Sequence, residues 1–222
     1  MFATTPLRVV AVSAGLSQPS STRLLADRLA AATRERLTAE QDRAGRDVEV
    51  RVIELRDLAV DIANHLVSGF SSAGLREAID AVTEADGLIA VTPVFTASYS
   101  GLFKSFFDLI DHTALTGKPV VIAATGGTAR HSLVLEHALR PLFAYLRAVT
   151  VPTSVYAASE DWGSSGDEYT EGLPSRIRRA GGELASAVLG RTVSGASRTP
   201  GLHDGEDAVV PFEQQLADLR LD

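Results

Sequence analysis

Residues 7–22 read Leu-Arg-Val-Val-Ala-Val-Ser-Ala-Gly-Leu-Ser-Gln-Pro-Ser-Ser-Thr. The first seven form an apolar run interrupted only by Arg8 before the closing serine, which is typical of a parallel strand buried on both faces. After a turn rich in hydroxyl groups, leucines and alanines recur at helical spacing over residues 20–37, behind a serine-rich start. The stretch therefore predicts a strand, a loop and a capped helix in this order.

The same alternation continues along the chain. Further strands are predicted at residues 48–55, 87–92 and 119–125, with a weaker one at 149–157, and further helices at 73–84, 101–111, 131–146 and 169–189. In residues 48–55 valines alternate with charged residues, which indicates a strand at the edge of a sheet. We therefore predict an α/β three-layer sandwich with a five-stranded parallel sheet in the order 2-1-3-4-5, rather than the six-stranded dinucleotide fold.

The composition of the chain narrows its chemistry. The 222 residues are 45% hydrophobic and contain no cysteine, which excludes disulfides, thiolate metal sites and cysteine nucleophiles and fits a reducing compartment. A net charge of -7 argues against a nucleic-acid partner. Since we find neither a signal peptide nor an apolar run long enough for a membrane span, we expect a cytoplasmic protein. Any redox chemistry would need a bound cofactor.

Two parts of the chain differ in composition. Residues 1–190 carry the alternating strand and helix pattern, and we predict that they form one domain. Residues 191–222 begin with a stretch rich in Ser, Gly, Arg, Thr and Pro, which is typical of a poorly packed tail. Apolar residues return at helical spacing within 209–221. This end is expected to dock on the domain or on a neighbouring subunit, and we favour the domain.

Ligands of such sheets bind beyond the carboxyl ends of the strands, so the loops after strands one, three and four are the candidate site. The first loop places several hydroxyls at the start of a helix, where free backbone N–H groups and the helix dipole favour an anion such as a phosphate. No glycine pattern of a dinucleotide fingerprint or a P-loop is present. An ordinary serine N-cap explains the same residues equally well.

The second loop contains aromatic residues, and the third contains a pair of glycines. Residues 92–104 begin with a proline directly after a buried strand and continue with small, hydroxyl and aromatic residues, of which Phe95 and Tyr99 are placed to flank a planar ring. Phe103, Phe106 and Phe107 are better interpreted as core. In residues 125–131 the paired glycines Gly126 and Gly127 allow a close approach of the backbone, although an ordinary tight turn would use them too.

These segments together resemble the NAD(P)H-dependent FMN reductases of the flavodoxin-like superfamily. The resemblance covers residues 7–157 and is closest to the reductases that feed two-component flavin-dependent monooxygenases. Its most specific stretches are 92–104, similar to T-P-x-Y-x-x-S-[YF]-S-G-x-x-K, and 125–142, similar to T-G-G-T-x-x-H followed by a helix with A-L-[KR]-P. It implies a flavodoxin-like fold, an enzyme, FMN as cofactor and NADPH or NADH as electron donor.

The resemblance also implies a role for individual residues. Ser17, Ser20, Ser21 and Thr22 would hold the FMN phosphate. The ribityl chain and the pyrimidine side of the ring would lie against Pro93, Val94, Phe95, Thr96 and Ser98, and the other side would be closed by Thr125, Gly126, Gly127 and His131. Three positions depart from the family: Ser17 stands for the usual arginine, Phe95 for the usual tyrosine, and Thr96 for Asn or Lys.

Two further expectations follow from the resemblance. His137 corresponds to an inserted residue that makes a π-bulge at a subunit interface in the two-component relatives, whereas the residues alone fit a solvent-facing histidine equally well. Its helix and residues 101–111 would then form the contacts of a homodimer or homotetramer. Arg23, Arg130 and Tyr99 are candidates for guiding the nicotinamide nucleotide, and Lys104 is interpreted as a rim charge.

Three functions remain open at this stage. An FMN reductase would pass hydride directly from the nicotinamide to the flavin, so it requires no acid–base residue and no metal, and the sequence offers no motif for either. An FMN-bound quinone or azo-compound reductase on the same fold is the second. The third is a flavodoxin-like electron carrier, which the length of the chain disfavours.

Overall fold

The computed structural model describes residues 6–41, 47–163 and 172–194. Its strands are β1 (Leu7–Ser13), β2 (Val48–Glu54), β3 (Gly87–Phe95), β4 (Ser98–Tyr99), β5 (Pro119–Gly126), β6 (Val149–Thr150) and β7 (Val155–Ala158). Its α-helices are α1 (Ser21–Gln41), α2 (Ala59–Ser68), α3 (Ala73–Glu84), α4 (Gly101–Phe107), α5 (Arg140–Tyr145) and α6 (Leu173–Ser194). Short 3₁₀ turns occupy Leu55–Leu58, Ala129–His131 and Ser159–Trp162, and a π-helical turn occupies Leu135–Leu139.

The parallel sheet has the predicted order. β2 lies at the edge, followed by β1, β3 and β5, and both β6 and β7 pair with β5. β6 and β7 are therefore two halves of the fifth strand, separated by residues that include Pro152, whose missing N–H cannot extend the ladder. The predicted five-stranded order 2-1-3-4-5 is confirmed. The added strand β4 pairs antiparallel with β3 and forms a hairpin.

The strand register brings the carboxyl ends together. Ser13 at the end of β1 is paired with Glu54 of β2 on one side and with Val91 of β3 on the other. Pro93 of β3 is in turn paired with Thr125 of β5. Since every strand of this ladder runs in the same direction, the loops that follow β1, β2, β3 and β5 emerge at one edge of the sheet.

Helices cover both faces of the sheet. On one face α1 and α6 pack together so closely that a Cβ on Gly181 would lie 2.9 Å from the Cβ of Ala32. On the other face, side chains from α2 to α5 form the larger core, with Phe103, Phe106 and Phe107 buried in it. The rings of Phe103 and Phe107 lie 4.7 Å apart. The interpretation of these three phenylalanines as core is confirmed.

Several boundaries differ from the prediction. β3 runs three residues beyond residue 92, α4 ends at Phe107 rather than 111, and the helix expected over 131–146 is divided into three pieces. Residues 59–68, for which we made no prediction, form α2. The last helix begins at Leu173 and continues through Gly190 to Ser194. The rest of the predicted tail, including 209–221, lies outside the described residues.

Candidate functional site

The first loop (residues 14–20) is folded against the start of α1. Ser20 is the N-cap of the helix, because its Oγ accepts from the backbone N–H of Arg23 at 3.2 Å and its carbonyl accepts from Leu24. A Cβ on Gly15 would lie 2.1 Å from Ser20 Oγ, so only glycine permits this close approach. Ser17 and Ser21 are exposed. The loop thus contains a genuine cap and, beside it, exposed hydroxyls at a helix N-terminus.

A buried pair of hydroxyls joins the first loop region to the third. Thr22 Oγ1 lies 2.8 Å from Thr125 Oγ1, and the two residues are 2% and 4% exposed. Ser13, the last residue of β1, is also buried, and its Oγ has no hydrogen-bond partner among the described residues. Three hydroxyls therefore lie beneath the surface of the loops, where burial of polar groups is costly unless they serve a structure or a ligand.

The second loop is the tip of the β3–β4 hairpin. The backbones of Thr96 and Ala97 are both left-handed, with φ of 49° and 67°, as the first and second central residues of a tight hairpin turn. This backbone is unfavourable for a β-branched residue such as Thr96, and such strain is concentrated at functional sites. Thr92 Oγ1 accepts from the backbone N–H of Ser100 at 3.0 Å and ties the base of the hairpin.

The side chains of the hairpin are divided between core and solvent. Pro93 is buried, while Val94 and Ser98 are half-buried. Phe95, at the end of β3, exposes 46% of its surface, whereas Phe103, Phe106 and Phe107 of α4 are buried. Such exposure is unusual for a phenylalanine. Tyr99 packs beside Phe103 with ring centroids 6.0 Å apart. The hairpin therefore presents one flat apolar side chain to solvent.

The third loop (residues 126–131) is shaped by Tyr156 of β7. The Tyr156 hydroxyl donates to the carbonyl of Thr128 at 2.8 Å, and a Cβ on Gly126 would lie 2.0 Å from that hydroxyl. Burial, with help from the nearby carboxylates of Glu160 and Asp161, raises the pKa of Tyr156 above its ordinary value. The phenol therefore stays protonated and remains a donor. Gly127 and His131 are exposed.

The structure brings all three loops together. The first and third are joined by the Thr22–Thr125 pair, and the second and third by the pairing of Pro93 with Thr125. The predicted residues that expose their surface at this edge are Ser17, Ser21, Phe95, Thr96, Gly127 and His131. The remaining predicted residues are half-buried or buried: Ser20, Thr22, Pro93, Val94, Ser98, Thr125 and Gly126.

The π-helical turn occurs where the resemblance implied it. Over Leu135–Leu139 the helix is underwound, and the backbone N–H of Arg140 bonds to the carbonyl of Leu135, five residues back. Pro141 has no N–H to offer to the carbonyl four residues before it, which favours the wider turn. His137 lies at the centre of the turn and is exposed.

An ion pair braces this turn. Arg140 forms two hydrogen bonds with Glu136, of 2.6 Å and 2.9 Å, and a third with Thr150 Oγ1 at 2.7 Å. The bonds from Arg140 hold the pKa of Glu136 below its ordinary value. Lys104, which was interpreted as a rim charge, likewise pairs with Asp108, the residue that follows α4.

Sequence reasoning missed the residues that follow β2. Arg56 donates to the carbonyl of Ser17 at 2.8 Å, and Glu54 forms an ion pair with Arg56 and accepts a hydrogen bond from Arg23. The signal available was the edge position of β2 beside β1, which places its carboxyl end next to the first loop. Arg23, a predicted guide for the nicotinamide, is held by Asp27 and Glu54, and hydrogen bonding to Asp27 raises its pKa above the ordinary value.

Other features lie apart from this edge. A groove of about 690 Å³ runs between the second half of α1 and the middle of α6, and none of the predicted site residues lines it. Across residues 6–41, 47–163 and 172–194, no three carboxylate or histidine side chains are grouped to hold a metal ion. Within those same ranges, no helix combines the length and apolarity needed to cross a membrane.

Residues 7–163 match the sequence profile described as NADPH-dependent FMN reductase. The chain belongs to this family. Among relatives of the family, an FMN reductase (NADPH) of Pseudomonas aeruginosa is 42% identical over 192 residues, which cover 85% of this chain and 96% of the relative. The NADH-dependent FMN reductase SfnF of Pseudomonas fluorescens is 41% identical over 185 residues, covering 83% and 93%.

Solved structures similar to this chain share its fold. An oxidoreductase from Corynebacterium diphtheriae superposes with a TM-score of 0.77 at 46% identity, covering 84% of this chain and 99% of that one. A flavodoxin, WrbA-like protein from Agrobacterium tumefaciens superposes with a TM-score of 0.55 at 16% identity over 84% of this chain and 99% of that one, which shows the flavodoxin-like fold alone. This FMN reductase family member is an oxidoreductase that uses FMN and a nicotinamide dinucleotide.

The residues at the carboxyl edge fit FMN. The phosphate needs hydrogen-bond donors, and the start of α1 offers backbone N–H groups together with the exposed hydroxyls of Ser17 and Ser21. The ring needs a flat apolar surface and backbone groups, which Phe95 and the Thr96–Ala97 turn offer. The close approach at Gly15, where a Cβ would collide with Ser20, keeps the first loop tight against the helix.

Proposed function

We propose that this protein reduces FMN with NADPH or NADH and passes the reduced flavin to a flavin-dependent monooxygenase. The observation that carries the proposal is the meeting of three loops at one edge of the sheet. The contact between Thr22 and Thr125 joins the first loop to the third, and the pairing of Pro93 with Thr125 joins the second to the third. When bound, FMN supplies the ring that accepts the hydride. The task of this chain is to bind and orient both nucleotides, for which it needs no acid–base residue at the ring.

The exposure of the side chains suggests how the proposed site divides its work. Ser17 and Ser21 contact the phosphate through their exposed hydroxyls, Ser20 contributes to the same site from the cap position, and Thr22 holds the helix start against Thr125. The ribityl chain and pyrimidine lie along the hairpin, against Pro93, Val94, Phe95, Thr96 and Ser98. The other side of the ring is closed by Thr125, Gly126, Gly127 and His131.

The partner proposals rest on the π-helical turn and its neighbours. Leu133 and Tyr145, on either side of the turn, expose 62% and 73% of their surfaces, as expected of residues that pack against a second copy. We infer a homodimer or homotetramer formed through this segment and α4, acting in the cytoplasm. Light scattering after gel filtration tests it, and a monomer at micromolar concentration would contradict the oligomer without affecting the flavin site.

The proposed reaction is tested under anaerobic conditions. Purified protein is mixed with FMN and with NADPH or NADH, and the visible absorbance of the flavin is followed. We expect bleaching that depends on the protein, and its absence with both donors would overturn the reductase and leave an electron carrier. Loss of FMN during gel filtration supports a flavin that diffuses to a partner oxygenase, whereas retained flavin that reduces quinones or azo compounds would support the alternative reductase.

The phosphate contacts are tested separately. Ser17→Ala and Ser21→Ala should each weaken FMN binding by about 1.5 to 3 kcal/mol, because a hydrogen bond to a charged acceptor is lost. Ser186→Ala is the matched control, since this exposed serine in α6 bonds only to its own helix carbonyl among the contacts described. Unchanged FMN affinity in the Ser17→Ala, Ser21→Ala double variant would show that the first loop is only a helix cap.

A further inference from the structure

A charged side chain reaches the first loop from the neighbouring strand. Arg56 lies in the 3₁₀ turn that directly follows β2, and Glu54 is the last residue of that strand. The register pairs Glu54 with Ser13, so the turn begins beside the point where the first loop leaves β1. This is the position from which a long side chain can reach over the loop.

The Arg56 guanidinium holds the loop at two consecutive residues. Its Nη1 donates to the carbonyl oxygen of Ser17 at 2.8 Å. With the Gln18 amide turned so that its oxygen faces the guanidinium, that oxygen accepts from Nη2 at 2.9 Å. The Arg56 side chain is only 17% exposed, and its bond to Ser17 lies at the protein surface.

Glu54 orients Arg56 and links it to the first turn of α1. One carboxylate oxygen of Glu54 lies 2.6 Å from Nη2 of Arg56, and the other accepts from Nη1 of Arg23 at 2.6 Å. Arg23 is one helical turn away from the cap residue Ser20, whose Oγ accepts from its backbone N–H. The end of β2, the first loop and the helix start are thus joined in one network.

The contribution of this network is geometric. The two arginines are balanced by Glu54, by Asp27 at 2.8 Å from Arg23 and by Asp57 at 3.7 Å from Arg56, so the cluster carries no surplus of positive charge. The network therefore does not act by a general attraction for anions. The network instead holds the Ser17 carbonyl and the Gln18 side chain in place before any ligand arrives, which lowers the ordering cost of binding.

We propose that Arg56, oriented by Glu54, is a positioning residue for the phosphate of FMN, and that it stabilises the first loop at Ser17. This inference rests on the proposed function, since it assumes that the first loop binds the phosphate. It predicts that loss of Arg56 affects ligands with a phosphate and spares those without one.

The test compares FMN with riboflavin, which has the same ring and ribityl chain without the phosphate. Dissociation constants of both are measured by flavin fluorescence for the wild type, Arg56→Gln, Arg56→Lys and the control Arg51→Gln. Arg51 lies in β2, before the turn that carries Arg56, and forms an exposed ion pair with Glu77, away from the loop. Arg56→Gln should weaken FMN binding about ten- to a hundredfold, as for a lost charged hydrogen bond, and change riboflavin binding less than about twofold.

The remaining outcomes separate the inference from the proposed function. Arg56→Lys should recover part of the FMN affinity, because one ammonium can reach Ser17 or Glu54 but cannot bond to Ser17 and Gln18 at the same time. The same variant tests the inference if Arg56→Gln fails to fold. Equal losses for FMN and riboflavin, or none for either, would overturn the positioning role while leaving the flavin site intact. A wild type that binds riboflavin as tightly as FMN would overturn the phosphate site itself, and the inference with it.

Discussion

The side-chain oxygens of Thr22 and Thr125 lie 2.8 Å apart, and this bond connects residues that are 103 positions apart in the chain. It joins the first turn of α1, which follows the first loop, to the end of β5, which precedes the third loop. Because both hydroxyls are buried, each depends on the other for its hydrogen bond. This contact therefore helps to fix the position of the first loop relative to the third, in addition to the pairing of the strands.

Replacing either threonine by valine should destabilise the protein, since the hydroxyl that remains is buried without a partner. We expect Thr22→Val and Thr125→Val each to lower the free energy of unfolding by about 1 to 3 kcal/mol. The double variant should lose clearly less than the sum of the two, because no unpaired hydroxyl remains. Urea denaturation of the four proteins measures this, and strictly additive losses would contradict the contact.

Adjacent glycines of the third loop should respond differently to alanine. In Gly126→Ala the new Cβ would collide with the Tyr156 hydroxyl and displace it from Thr128, at a cost of about 1 to 3 kcal/mol. Gly127→Ala is the matched control, because no atom lies within 4 Å of its added Cβ. Thermal unfolding compares them. Adding Tyr156→Phe to Gly126→Ala should recover part of the loss, and equal stability of the two alanine variants would refute the assignment.

The hairpin turn should be stabilised by glycine. Ala97 has a φ of 67°, a backbone that costs an L-residue about 1 to 2 kcal/mol, so Ala97→Gly should raise the free energy of unfolding by about 0.5 to 1 kcal/mol after the entropic cost of glycine. The same substitution at Ala63, an exposed position of α2, should lower it by about 1 kcal/mol. Chemical denaturation tests the opposite signs. Two losses of similar size would show that the turn is not left-handed.

Lys118 should make stability depend on pH in the alkaline range. Its Nζ is buried against the carbonyls of Thr83 and Ala85, and burial lowers its pKa to about 8 from an ordinary 10.5. Between these values the unfolded chain binds more protons than the folded one, so the free energy of unfolding from this group rises with pH. Below about pH 8 both states are charged and the contribution is constant.

The measurement is the difference between wild type and Lys118→Met. From about pH 7 to about pH 9.5 the wild type should gain on the order of 1 to 2 kcal/mol relative to the variant. Work below pH 10 avoids the ionisation of Tyr156, whose raised pKa would act in the opposite direction. Urea midpoints that run parallel in the two proteins across this range would contradict the lowered pKa of Lys118.

The local sequence pattern was sufficient to predict the bounds of an element where apolar residues recur at regular spacing. The strand over Leu7–Ser13 and the helix over Ala73–Glu84 have the bounds expected from their apolar spacing, because burial of one face requires that spacing. The edge position of β2 also followed from its alternating charges. The division of the last strand into β6 and β7 was not anticipated, although Pro152 explains it once the pairing is known.

The location of the site could be predicted from the sequence, whereas most contacts within it could not. The three loops were expected at one edge because parallel strands end together, and they do lie there. The turn at Thr96 and Ala97 has no sequence signal, because neither residue favours a left-handed backbone. The contact of Arg56 with Ser17 was missed as well, since the loop after β2 was not considered as part of the site.

The amino-acid sequence by itself determined the alternation of strands and helices, the sheet order and the family, because these depend on the periodicity of burial and on short motifs that each segment carries. Only the tertiary structure decided which hydroxyls of the first loop are exposed, which one caps α1, and which one is buried against Thr125. Those outcomes depend on distances between segments far apart in the chain, and packing sets such distances only when the whole sheet has formed.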